Sequence, residues 1–384
     1  MNHVRDYLDS AFVLEADIDL NAAPYNTDSG WTPIGTETQP FTGTFIGNGH
    51  TIRGLHINGG ENIGLFGSID RVARISDLTL EGADIKTTKS GVAILVGNML
   101  GGTITNCRVS GNITAESYNV GTLVGYMQGG TIADSSGSGR LENRTFSYTG
   151  GLVGRMDSGA ALIRSSADTT TAGSASTGGL VGANAGSIEQ SFARGSVENN
   201  AGNLGGLVGE NNGSISQSYA RTQITGGSTN VGGLAGLNGS KGAIEQSFAK
   251  ASINTEAMTV GGLVGENQGM ISDAYANTDI TAGKFRTNIL VGGLAGINRH
   301  EIARTYAAGT IDSDADEAGG LVGKLESSGT VNKSYYDQET TGQNDTGKGT
   351  PLASKQMKDQ HSFAGWDFTD VWKMTDYPSL QWEE

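Results

Sequence analysis

Cysteine is nearly absent from this chain. A single one, Cys107, stands among 384 residues, which excludes an intrachain disulfide and a multi-cysteine zinc site. Proline occurs only five times, so the abundant glycine does not belong to a collagen-like repeat, where proline must accompany it. Positive charge is scarce: 25 Lys and Arg face 40 Asp and Glu, a net charge of −15. That balance argues against nucleic acid as a partner, because phosphate binding needs surplus Lys and Arg. It argues equally against docking on an anionic membrane. No apolar run reaches the roughly 18 residues of a membrane-spanning helix, so no membrane insertion is expected. The stretch Met1-Asn2-His3-Val4-Arg5-Asp6 has no apolar core of a signal peptide.

Glycine is abundant instead, at 61 residues, and it comes in a pattern. The phrase Gly-Gly-Leu-Val-Gly, or a near copy, ends at Gly67, Gly97, Gly125, Gly154, Gly182, Gly209, Gly236, Gly265, Gly296 and Gly323. The intervals stay between 27 and 31 residues, the mark of a repeat architecture. A second phrase follows each time, as in Ile188-Glu189-Gln190-Ser191-Phe192-Ala193 and Ile215-Ser216-Gln217-Ser218-Tyr219-Ala220. A third short segment completes the unit, for example Gln223-Ile224-Thr225. None has helical spacing, and all are rich in strand-favouring residues. The period predicts an all-β, parallel β-helix (β-solenoid) with three short strands per rung and about ten rungs of ~28 residues. Right-handed winding is expected from the general rule for parallel connections. Asn184, Asn211, Asn238, Asn267 and Asn298 recur just after the glycine phrase and are expected to stack as an amide ladder. Residues 1–60 read as a cap with irregular opening coils, 61–335 as the repeats and 336–384 as a cap. The last segment holds Trp366, Trp372 and Trp382, which would plug the open end of the stack.

These phrases resemble the GLUG repeat of bacterial surface and secreted proteins, also found upstream of the catalytic domain in IgA1-specific metallopeptidases. The opening Trp31-Thr32-Pro33-Ile34-Gly35 and the closing Phe363-x-Gly365-Trp366-Asp367-Phe368 resemble the usual ends of such arrays. The resemblance implies an extracellular or cell-surface module, monomeric and part of a larger adhesin-like chain, with no single ligand. No peptidase zinc helix accompanies it: after His300-Glu301 the second histidine of a His-Glu-x-x-His motif is replaced by Arg304.

Three sets of residues could carry chemistry. The first is an aromatic row at matching positions: Phe192, Tyr219, Phe248, Tyr275, Tyr306 and Tyr335. Gln and Arg or Lys flank it, including Arg194, Arg221 and Lys250. Burying those flanking groups in every rung would be costly, so the row is expected to face outward, with Ser191 and Ala193 inward. Ile188 shares the parity of Phe192, so the chain must bend between them. An outward stripe of rings and cations suits a glycan ligand or a surface protein; the bland alternative is rings that stabilise one another. The second set is Asp312, Asp314 and Asp316, alternate carboxylates that could hold calcium, against the simpler reading of a solvated acidic turn. The third is catalytic: Asp273 with Glu245 or Glu301 could supply the paired carboxylates of a glycoside hydrolase or lyase. The leading expectation is a non-catalytic adhesion or ligand-binding module; a polysaccharide-degrading enzyme and a structural spacer are the alternatives. No other cofactor is expected.

Overall fold

The computed structural model describes residues 1–145, 147–227, 229–283 and 288–383. Strand follows strand with almost no helix. The chain divides into two compact units, Met1–Val197 and Glu198–Glu384, and each is a parallel β-solenoid.

In the first unit one wall stacks Ala11–Val13, Thr44–Ile46, Arg74–Ser76, Thr103–Thr105, Gly130–Ala133, Ala160–Ile163 and Ser187–Glu189, each parallel to the next. A second wall carries the longer strands Thr79–Thr87, Arg108–Ala115, Ser136–Asn143 and Ser166–Gly173. A third stacks Phe66–Ile69, Val96–Met99, Val124–Met127, Val153–Met156 and Val181–Asn184. Residues 1–60 already contribute paired strands, and their start is closed by Val4 and Trp31, whose indole donates to Leu65 O at 3.1 Å.

The second unit repeats the plan. Its first wall runs from Ser214–Ser216 to Thr330–Asn332 and its third from Val208–Asn211 to Val322–Leu325. Rungs also carry a fourth short strand that the sequence reading did not separate: Asn203–Gly205, Asn230–Gly232, Thr259–Gly261, Leu290–Gly292 and Glu317–Gly319. Each is only three residues long and ends on glycine, which hides the pattern.

The repeated leucines, Leu152 and Leu180 in one unit and Leu207, Leu234, Leu263, Leu294 and Leu321 in the other, are fully buried and fill the coils. Two glycines show what holds the phrase in the second unit. A Cβ on Gly232 would lie 2.0 Å from Ala235 O, and one on Gly265 would lie 2.6 Å from Gly236 O. The first would collide within its own rung and the second with the rung beside it, so neither position has room for a side chain.

The bend required between Ile188 and Phe192 exists. Gln190 has φ 50°, and its counterparts Asp77, Asn106, Asp134, Arg164, Gln217, Gln246, Asp273, Arg304 and Lys333 are all left-handed too. Each left-handed non-glycine residue costs about 1 kcal/mol. Contacts between neighbouring corners hold them: Asn106 Nδ2 to Asp77 Oδ1 at 2.7 Å, and Arg164 on Asp134 at 2.7 and 2.9 Å. The next residue forms a buried serine column. Ser165 donates its hydroxyl to Ile163 O at 2.8 Å and accepts the N–H of Ser135 at 3.2 Å. Cys107 sits in the same column, where burial pushes its thiol up to about 12.

Candidate functional site

The aromatic row is real and faces away from the coil interior, as the buried Ser191, Ala193, Ser218 and Ala220 require. In the second unit Tyr219, Phe248, Tyr275, Tyr306 and Tyr335 stand in strict register. Successive rings from Tyr219 to Tyr306 stack 5.0, 4.9 and 4.8 Å apart and within 8° of parallel. That is the rung spacing, so the backbone itself sets the stacking.

The row is not an exposed stripe. Phe248, Tyr275, Tyr306 and Tyr335 are 0, 1, 3 and 9% exposed. The C-terminal segment lies over them. Trp382 packs 5.7 Å from Phe248, Trp372 6.4 and 6.2 Å from Tyr275 and Tyr306, and Trp366 6.0 Å from Tyr335. The cover is tied down by Trp382 Nε1 to Gln246 O at 2.9 Å, Trp366 Nε1 to Lys333 O at 2.8 Å and Tyr306 OH to Pro378 O at 2.8 Å. Glu383 accepts the Tyr275 hydroxyl at 2.8 Å and the Lys250 ammonium at 3.2 Å. The carboxylate expected from a ligand of Lys250 is thus supplied by the protein. Burial drives the Tyr275 and Tyr306 hydroxyls far above the usual tyrosine range. Tyr377, whose hydroxyl donates to Asp337, is pushed up to about 12, by burial first and then by that carboxylate. The sequence placed the tryptophans at an open end; they cover a flank instead.

Only the start of the row keeps solvent access. Tyr219 is half-buried with the Arg221 guanidinium 5.1 Å from its ring centre. In the first unit Phe192 is half-buried with Arg194 at 4.9 Å.

Asp312, Asp314 and Asp316 are exposed, and no group of three acidic, histidine or cysteine side chains able to hold a metal ion occurs among the described residues. Asp316 Oδ2 instead accepts the backbone N–H groups of Asn288 and Ile289. Asp273, proposed above for catalysis, is buried and clamped by Arg304, with Nε at 2.8 Å. It also faces the Trp372 indole N–H at 3.3 Å. That carboxylate is a tie between wall and cover, not an acid open to substrate.

A different cluster emerges in the first unit. Tyr126 and Arg155 are neighbours across adjacent strands of the third wall. The Arg155 guanidinium lies 5.3 Å from the Tyr126 ring centre and 5.6 Å from that of Tyr148. Asp157 accepts the Tyr126 hydroxyl and Arg155 Nε, the latter at 3.0 Å. Burial, and then the Asp157 carboxylate, raise the Tyr126 hydroxyl above its usual range. All four side chains keep partial solvent access. The signal was present in the sequence: the residue after the repeat's last glycine is Asn98, Tyr126, Arg155 and Ala183 in successive units, a variable position on a fixed frame.

No family model matches the chain. It is 52% identical over 79 residues to the "Putative Gly-rich membrane protein" of Evansella cellulosilytica, covering 18% of this chain and 9% of that protein. It is 34% identical over 116 residues to "Halomucin" of Haloquadratum walsbyi, covering 28% of this chain and 1% of that protein. The chain therefore spans only a small part of these relatives' length. Among solved structures, a "putative immunoglobulin A1 protease" from Bacteroides ovatus covers 100% of this chain and 90% of its own, at 16% identity and a TM-score of 0.45. That score is too low for function to be carried across. No helix among the described residues is long and apolar enough to cross a membrane.

Proposed function

We propose that this chain is a non-catalytic ligand-binding module of a longer surface polypeptide, of GLUG-repeat type, and that it holds carbohydrate on the first unit's third wall. The observation that carries this reading is the open cluster of Tyr126 and Tyr148 around Arg155. A tyrosine offers an apolar ring face and a polar tip, the combination a pyranose needs. Asp157 fixes both Tyr126 and Arg155, so little side-chain entropy is lost on binding. The GLUG resemblance and the large size of both relatives support placement within an extended extracellular or cell-surface chain. The test is a glycan array and calorimetry on the purified chain beside a Tyr126→Ala, Tyr148→Ala variant whose fold is checked by circular dichroism. Saturable binding lost in the variant is expected; binding that survives the double substitution overturns the assignment.

A further inference from the structure

The turns that follow Met99 and Met127 leave a groove in the first unit. Its floor is glycine: Gly101 and Gly102 on one rung, Gly129 and Gly130 on the next. The longer turn of the preceding rung, with Arg71, Val72 and Arg74, forms one bank. Val72 is 66% exposed. Gln128 lines the other side, two residues from Tyr126, and its amide donates to Asn98 Oδ1 at 3.0 Å.

Two features mark this groove as more than a gap between turns. Arg71 and Arg74 are exposed and form no ion pair among the described residues, in a chain with a net charge of −15. The root of the Arg71 side chain stands over Gly101, its Cγ 2.8 Å and its Cα 2.9 Å from where a Cβ on that glycine would lie. The carboxylate beside it, Asp70, accepts the backbone N–H of Arg71 at 2.7 Å. Second, Gly129 is not required by packing. A Cβ there would meet only Leu100 O, at 3.5 Å, an ordinary contact. Its missing side chain keeps the floor open.

We infer that this groove binds an anionic polysaccharide, with Arg71 and Arg74 holding its acidic groups and the chain continuing toward Tyr126. Guanidinium pairs well with carboxylate and with sulfate, and both belong to this ligand class. A peptide could not add a strand here, because Arg74–Ser76 is already paired on both sides, and so is Thr103–Thr105. The ligand must be held by side chains.

This inference rests on the carbohydrate reading above, and its test separates the two. The intact chain, Arg71→Gln with Arg74→Gln, Gly129→Leu, and Tyr126→Ala with Tyr148→Ala are titrated with polygalacturonate, dextran sulfate, neutral dextran and poly-L-glutamate. Polygalacturonate or dextran sulfate should bind at least tenfold tighter than neutral dextran, and whichever of the two is preferred names the acid group. The arginine variant should weaken that binding about tenfold or more, the loss of one or two charge-assisted hydrogen bonds, and Gly129→Leu should do so to a similar extent by filling the floor, each with an unchanged melting temperature. Neutral dextran binding that fails only in the tyrosine variant would overturn the groove and leave the tyrosine site standing. Poly-L-glutamate binding as tightly as the anionic glycans would overturn the ligand class. No binding of any probe would overturn both readings.

Discussion

The two units use one backbone plan and fill it differently, most plainly where the third wall turns into the first. In the first unit that corner stacks Ile69, Met99, Met127 and Met156, all buried, before Asn184. In the second it stacks Asn211, Asn238, Asn267 and Asn298, each amide donating to the next at 2.8 Å. The asparagine oxygens also accept turn N–H groups: Gly213 on Asn211, Gly269 on Asn267 and His300 on Asn298, each at 3.3 Å. Methionine fills the same space but cannot hold the turn. The turns beside the methionines open into the glycine-floored groove. The second wall differs as well. The second unit carries its stacked rings there, under the C-terminal segment, while in the first unit the matching positions before the lone ring of Phe192 are Thr79, Arg108, Ser136 and Ser166, which carry none. The frame is thus specified by glycines, buried leucines and left-handed corners. The corner and outer columns are free to carry other work.

The sharpest way to break this comparison is to lift the cover. Trp372→Ala removes a fully buried indole between Tyr275 and Tyr306. It should cost about 3–5 kcal/mol, and hydrogen exchange should locate the loss in residues 198–383 while 1–197 stay protected. Equal loss in both would mean that the two units do not differ as described. Next, Asn238→Ala removes one acceptor of the Asn211 amide and one donor to the Asn267 oxygen, and roughly 1–3 kcal/mol should be lost in chemical denaturation. Met127→Asn should cost a comparable amount, because its amide would lie between Met99 and Met156 with no ladder to join. If that swap were neutral, the corner would not distinguish amide from thioether.

Alkali should act on the second unit first. Three of its covered tyrosines bind their protons more tightly when folded, with Tyr377 at about 12 and Tyr275 and Tyr306 higher still. The stability they lend is fully present below the ordinary tyrosine value of about 10 and drains as pH climbs through the folded values. The tyrosinate absorbance that a Tyr275→Phe, Tyr306→Phe variant lacks should therefore rise together with loss of tryptophan burial, measured by fluorescence. That part of the absorbance appearing with the cover still closed would contradict this. The smallest effect belongs to Cys107→Ser. The serine would join the column beside Ser135, with Thr105 O within reach of its hydroxyl as it now is of the thiol, 3.4 Å away. Stability should change by less than about 1 kcal/mol. With its thiol at about 12, native Cys107 should resist thiol reagents at pH 8 and react only on unfolding.

Much of this was legible in the sequence. The period gave the solenoid, the asparagine spacing gave the ladder, and the parity of Gln190, Ser191, Phe192 and Arg194 gave the outward rings and even the bend at Gln190. These are local properties: a strand's alternation and a repeat's spacing are set within a few residues. What the sequence could not decide is which outward column stays open. Phe248 and Trp382 are separated by more than a hundred residues, and only the packed chain shows the one lying on the other. The open cluster of Tyr126, Tyr148, Arg155 and Asp157 and the groove at Gly129 likewise arise where neighbouring rungs place variable residues side by side. Register is legible from a repeat, but coverage is not, because burying an outward face depends on a distant segment finding it.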